Sequence, residues 1–206
     1  MPSIGVGAAE TPLRETKGVM GESLVRRVQD GDREAFGALI EEHHRRLFVL
    51  AHGILRDPHA AEDATQQAFI DIWRKIHDLR DPAAFESWSY RLLVRLCHRE
   101  ARKRRAAMGA LRPIDDDIAG NVDPIGAVVD RDRLERAFAR LSVDQRTVVA
   151  MRFLLDMRPE RIADTLDIPR QTVYSRLRRA LRAMRAALEA DERAGATVLD
   201  EREAAG

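Results

Sequence analysis

Apolar residues recur along most of this 206-residue chain at intervals of three and four, the period of an α-helix with one buried face. The pattern predicts a short helix over about 22–29. A second starts at Asp32, an N-cap, and runs through Phe36, Leu39, Ile40, Leu47, Phe48, Leu50, Ala51 and Ile54. Asp57-Pro58 and Asp81-Pro82 each supply an N-cap followed by a proline at the first helical position, where the missing N–H costs nothing. They start helices over about 58–78 and 82–105. A further helix is expected from Ile125 to Leu141, and Ser142-Val-Asp-Gln145 has the form of a capping box opening another through Phe153. Alternating, strand-like patterns are nearly absent, so the fold class is all-α.

The helical period breaks once, between Ala106 and Asp123. There Gly109, Pro113 and Gly120 surround the acidic run Asp115–Asp117. Such a stretch reads as a flexible, negatively charged linker. The organisation expected is an N-terminal tail at 1–21, a four-helix domain at 22–106, a linker at 107–124, a second helical domain at 125–191 and a polar, fraying tail at 192–206.

From Pro159 to Met184 the sequence PERIADTLDIPRQTVYSRLRRALRAM places Ile162, Ala163, Leu166, Ile168, Val173 and Leu177 on the facing sides of two helices. A tight turn at Asp167-Ile168 joins them, and Pro169 suits the start of the second helix. Between Arg170 and Arg185 there are arginines at 170, 176, 178, 179, 182 and 185 and no acidic residue. One apolar face with a cationic remainder suits a recognition helix in a major groove, flanked by phosphates. Arg170, Gln171, Thr172, Tyr174, Ser175, Arg178 and Arg179 are the candidate DNA contacts. The bland alternative is a solvated basic helix.

Net charge is only +1 although 33% of residues are charged, so charge is segregated along the chain. A lone cysteine, Cys97, excludes an internal disulfide framework and a self-contained cysteine zinc site, and fits a reducing cytosol. Beside Arg95, His98 and Arg99 its thiol would be activated if exposed, but Leu93, Leu96 and Cys97 share an apolar face and read as core. No run of about 18 apolar residues is present, so no membrane span is expected. Glu41-x-x-His44 has the spacing of half a di-iron carboxylate site, but no second Glu-x-x-His completes it. With no phosphate loop and no nucleophile elbow either, no enzyme, metal or cofactor is expected.

The helix over 82–105 begins with Phe85, Trp88 and Tyr90 and continues with Arg91, Arg95, His98, Arg99 and Arg102. Aromatic and cationic groups on one helix make a platform for unpaired bases, each stack contributing about 1–3 kcal/mol. Phe85 and Leu92 read as core, and Trp88 is as much at home in the core as on the platform. On the helix over 58–78, Asp63, Gln66, Gln67 and Ile70 form a polar patch with Phe69 and Trp73 beside it, a composition suited to a protein interface.

Three motifs carry a family resemblance. Ala61-Glu62-Asp63…Gln66-Gln67…Phe69…Trp73 matches an AED-x-x-Q-(E/D)-x-F-x-x-x-W pattern. Phe85…Trp88…Tyr90-Arg91 matches F-x-x-W-x-Y-R, and Glu160…Ile162-Ala163…Leu166-Asp167-Ile168-Pro169…Thr172-Val173…Ser175-Arg176 matches E-x-I-A-x-x-L-G-I-P-x-x-T-V-x-S-R. In this order the chain resembles the extracytoplasmic-function (ECF) sigma factors of bacterial RNA polymerase over about 22–190. The resemblance implies a cytoplasmic promoter-specificity factor of two small helical domains, a four-helix region 2 and a helix-turn-helix region 4. It implies that Asp63, Gln66, Gln67, Phe69, Ile70 and Trp73 dock on the polymerase clamp. Trp88, Tyr90, Arg91, Arg95, His98, Arg99 and Arg102 would hold the opened minus-10 strand, and the Arg170–Arg179 set would read the minus-35 duplex. The helices around Leu134–Leu155 would meet the polymerase flap, the acidic linker would thread the cleft, and a cognate anti-sigma factor would control the protein in trans. Three positions depart from the pattern. Gln67 replaces a frequent acid, Arg95 and Arg99 stand where asparagine and aspartate are frequent, and Asp167 replaces the turn glycine. The alternative is a free-standing helix-turn-helix regulator, which leaves the aromatic-basic helix and the Asp63–Trp73 patch without a role.

Overall fold

The computed structural model describes residues 21–107 and 127–204. Helix α1 covers 21–29, followed by α2 (Arg33–Leu55), α3 (Pro58–Lys75), α4 (Phe85–Ala107), α5 (Ala127–Ala139), α6 (Val143–Phe153), α7 (Pro159–Leu166) and α8 (Arg170–Ala204). Two 3-10 turns, at 76–78 and 82–84, join α3 to α4. No strand occurs among the described residues. The linker expected at 107–124 falls outside them except for Ala107, as does the N-terminal tail expected at 1–21 except for Gly21.

Local chemistry sets most helix starts where the sequence places them. The Asp32 carboxylate accepts from the Ala35 N–H at 3.0 Å, and Asp57 accepts from the Ala60 N–H at 2.8 Å. These bonds hold both carboxyl groups below the usual aspartate range, the backbone donor being the largest cause in each. The Ser142 hydroxyl accepts from the Gln145 N–H, while the Gln145 side-chain Oε1 accepts from the Ser142 N–H at 2.9 Å, closing a capping box on α6. Ser142→Ala removes half of that box and is expected to cost about 1 kcal/mol. In a chain of this size that lowers the melting temperature by about 2–4 °C, readable by circular dichroism.

Three boundaries differ from expectation. The fourth helix, expected from 82, opens with a 3-10 turn over 82–84 and is α-helical only from Phe85. The third helix ends as α-helix at Lys75, and residues 76–78 tighten into a single 3-10 turn. The expected fraying tail at 192–206 is helical as far as Ala204. Alanine, glutamate and arginine dominate this stretch, and their helix propensity outweighs its lack of an apolar face. Arg185 pairs with Glu189 one turn on, and Arg136 of α5 reaches Asp191 at 3.1 Å, tying the start of the extension to the rest of the fold.

Helices α1–α4 enclose Leu39, Leu47, Leu50, Ile54, Ile72, Ile76 and Leu93, and helices α5–α8 enclose Leu141, Val148, Met151, Ile162 and Val173. The two sets do not form separate cores. They belong to one continuous apolar cluster, because α2 packs on α6 and α4 packs on α7.

Candidate nucleic-acid and protein interfaces

Helix α4 presents one stripe to a cleft and another face to the core. Trp88, Arg91, Arg95 and Arg99, spaced by three or four residues, fall on one stripe and line a cleft of about 270 Å³. Leu92 and Leu96 line it too, with Asp71, Lys75 and Asp78 from the end of α3 and the turn after it. Arg95 and Arg99 are exposed, and Arg102 continues beyond them, exposed as well. Trp88 is half-buried, its ring 6.0 Å from that of Phe85, so it packs against the core and also borders the cleft. Phe85 is buried, as a core residue should be, while Leu92 is half-buried, packing against the core and bordering the cleft.

Tyr90 is the exception in this set. Two residues from Trp88 is more than half a turn round the helix, and its side chain is only 2% exposed. Its hydroxyl donates to Glu86 at 3.1 Å, and burial together with the Glu86 charge pushes its pKa up. The placement of Tyr90 among DNA contacts is therefore corrected. It is a packing residue that orients Glu86.

Arg91 and His98 both turn toward the second half of the molecule. The Arg91 guanidinium donates to the carbonyl oxygens of Thr165 at 2.7 Å and Asp164 at 3.1 Å, at the C-terminal end of α7, where helix carbonyls lack partners. His98 lies 3.0 Å from the Thr147 hydroxyl and 3.7 Å from Asp144. Burial holds its pKa below the usual histidine value, against the opposing pull of the Asp144 carboxylate.

The helix-turn-helix forms from α7 and α8. Asp167 takes the left-handed conformation at φ 55°, ψ 50°, doing what glycine does in such a turn at a modest steric cost. Val173 and Leu177 face inward, while Arg170, Gln171, Tyr174, Arg178 and Arg179 are exposed and Thr172 and Ser175 are half-buried. Tyr174 donates its hydroxyl to Glu160 of α7 at 2.7 Å, lowering the Glu160 pKa and raising its own. Ser175 donates to the Thr172 carbonyl, and Arg176 leaves the cationic face to pair with Asp144 at 2.8 Å.

On α3, Asp63, Gln66 and Ile70 are exposed on one side. Gln66 donates to Glu62 at 3.1 Å and Gln67 to Asp71 at 2.9 Å, so the amides of this patch are held along the helix. Phe69 is buried, and Trp73 is half-buried against Phe36 at 4.8 Å. The two rings support the patch from beneath.

Cys97 is buried, and desolvation pushes its thiol up to about 12, which leaves it inert toward oxidants near neutral pH. His43 packs edge-on against Phe85, and His44 lies 3.6 Å from Glu62. Among the described residues no three His, Cys, Asp or Glu side chains converge on a metal-sized space.

Periodicity did not reveal the contact between the two halves. An apolar groove of about 490 Å³ lies along it, bordered by His52 and Gly53 of α2 and by exposed Leu134, Phe153, Leu154 and Leu181 of α5, α6 and α8. A signal was present at Gly53. Glycine inside a helix costs about 1 kcal/mol relative to alanine, so its place in the middle of α2 needed a packing reason.

Comparison with known proteins gives two family matches, sigma-70 region 2 over residues 39–107 and sigma-70 region 4 over residues 131–184. The RNA polymerase sigma-H factor of Pseudomonas aeruginosa is 30% identical over 185 residues, spanning 82% of this chain and 93% of that protein. The ECF RNA polymerase sigma factor SigM of Mycobacterium tuberculosis is 37% identical over 153 residues, 73% of this chain and 75% of its own length. Among solved structures, CnrH in complex with the cytosolic domain of CnrY aligns with a TM-score of 0.61 at 23% identity, over 83% of this chain and 98% of that one. RpoE from Bartonella quintana, solved with the anti-sigma factor NepR, aligns at 0.56 and 19% identity over 76% of this chain and 98% of that one. These structural likenesses speak for the fold.

Proposed function

The chain belongs to the ECF sigma factors, which direct RNA polymerase to promoters, and from that premise we propose how its two halves divide the work. Helices α1–α4 bind core polymerase and hold the opened minus-10 strand. Helices α5–α8 read the minus-35 element as duplex and meet the polymerase flap around Leu134–Leu155. Chemistry stays with the polymerase, and this chain supplies recognition and strand capture in the cytoplasm. Among the described residues no helix is long and apolar enough to cross a membrane.

The single observation that carries this reading is the α4 cleft. Trp88 offers a ring for stacking, while Arg91, Arg95 and Arg99 supply cations along one wall and Arg102 extends the track. A regulator that reads only duplex DNA has no use for such a cleft beside its helix-turn-helix. On α8 the exposed Arg170, Gln171, Tyr174, Arg178 and Arg179 face a major groove, with Thr172 and Ser175 at the edge of that face.

Asp63, Gln66, Gln67 and Ile70, braced by Phe69 and Trp73, dock on the polymerase clamp. Asp63→Ala combined with Gln66→Ala is expected to weaken core-polymerase binding at least tenfold. Binding of a minus-35 duplex by α8 should stay as it was. Titration of labelled protein with core polymerase checks the first effect, and duplex retardation checks the second. A cognate anti-sigma factor is the expected regulator, acting by covering polymerase-binding surfaces.

The test of the whole reading is run-off transcription of fragmented host DNA by core polymerase, with and without the protein. Defined start sites that appear only with the protein support it. Absence of new starts, with tight binding of the protein alone to duplex sites, would sink it.

A further inference from the structure

Helix α1 supplies no residue to the surfaces described above, yet its last turn reaches the edge of one of them. Val25 and Val28 are buried and anchor the helix in the core. Gln29, the next residue, is half-buried. Its side-chain amide donates to the Ile76 carbonyl at 2.8 Å and to the Leu79 carbonyl at 2.7 Å. An amide nitrogen carries two N–H donors, and both are used here. Helix α3 has ended at this point, and the Ile76 carbonyl keeps one longer bond besides, from the Leu79 N–H at 3.2 Å.

The turn held in this way borders the α4 cleft. Ile76 and Leu79 are buried, and between them Asp78 is exposed and lines the cleft together with Trp88, Arg91 and Arg95. Asp78 makes no hydrogen bond or ion pair of its own among the described residues, so the backbone of the turn sets where its carboxylate lies. A carboxylate repels phosphates and accepts from base amino groups. Its position beside a cationic wall therefore decides which edge of a single strand the cleft receives.

We propose that Gln29 is a positioning residue for strand capture. It fixes the 76–79 turn, and through the turn the Asp78 side of the cleft, without touching DNA itself. The inference rests on the promoter-recognition reading above. The two donors are what count. A side chain of the same shape without them leaves both carbonyls unpaired at a half-buried site and lets the turn shift.

The experiment compares the full chain with Gln29→Glu, which keeps the shape and loses both donors, and with Gln29→Lys, which restores donors on a longer stem. Amide hydrogen exchange over residues 76–84 of the free chain reads the turn. Core polymerase carrying each form is then titrated with a labelled single strand taken from upstream of a start site mapped by run-off transcription. A shuffled strand of the same composition is the reference, so the ratio of the two affinities cancels any general effect of charge. Gln29→Glu is expected to speed exchange over 76–79 and to lower the ratio roughly fivefold, the size of effect that two lost neutral hydrogen bonds produce. Binding of core polymerase should stay as it was, and Gln29→Lys should recover most of both losses. Unchanged exchange or an unchanged ratio in Gln29→Glu would overturn the proposal. So would a ratio as low in Gln29→Lys as in Gln29→Glu, or a fall in core-polymerase binding in step with the ratio. Absence of mapped starts with any form would overturn the functional reading beneath it, while exchange still decides whether Gln29 holds the turn.

Discussion

Arg178→Ala combined with Arg179→Ala is expected to reduce initiation at promoters with a minus-35 element on the order of 100-fold while leaving core-polymerase binding unchanged. A base or phosphate contact by arginine is worth about 1–3 kcal/mol, and every 1.4 kcal/mol is tenfold in affinity. Both side chains are exposed on α8, and the first acidic residue along that helix is Glu189, so no carboxylate on the helix competes for them within two turns. Run-off yield against salt concentration separates the two kinds of contact. A lost phosphate contact lowers the salt slope by about one unit and weakens all sequences alike, whereas a lost base contact relaxes specificity at one position. If the double variant lost polymerase binding to the same extent as transcription, the assignment of α8 to DNA would be wrong.

Leu50→Ala is expected to be the most damaging single substitution for stability among those considered. Leu50 is fully buried on α2, the helix that packs against α3, α4 and α6 at once. Truncating a buried leucine to alanine costs about 2–5 kcal/mol through lost transfer energy and the cavity left behind. Against a total stability of about 5–15 kcal/mol that is a large share. At about 2–4 °C per kcal/mol in a chain of this length, the melting temperature should fall on the order of 10 °C. Leu181→Ala is the control. Leu181 is 48% exposed at the rim of the apolar groove, and its loss should shift the melt by no more than a degree or two. Equal effects of the two changes would mean that the apolar cluster is not organised around α2.

The helices, their caps and the turn of the helix-turn-helix were legible in the chain because each rests on local chemistry. Asp32, Asp57 and Ser142 cap what they were expected to cap, since an N-cap bond spans only three residues. Asp167 adopts the left-handed conformation its place in the turn demands. Cys97 and Phe85 face inward as their periodicity required. The arginine face of α8 and the α4 stripe were legible for the same reason, because spacing along a helix determines which side chains share a face.

Local pattern did not decide which side of α4 would be left for a ligand. Tyr90 has the composition of a stacking residue, yet tertiary packing turned it into the core, and Arg91 and His98 are held by partners more than forty residues away in sequence. The extension of α8 to Ala204 likewise depends on helix propensity and a bridge from Arg136 to Asp191, neither of which the absence of an apolar face announces. The sequence by itself determined the all-helical class, the helix starts, the family and the faces of single helices, because those follow from contacts within a turn or two. Only the tertiary structure decided that the two halves share a core through Gly53 and Glu86, because that depends on a close approach between segments at least 75 residues apart, which no local period encodes.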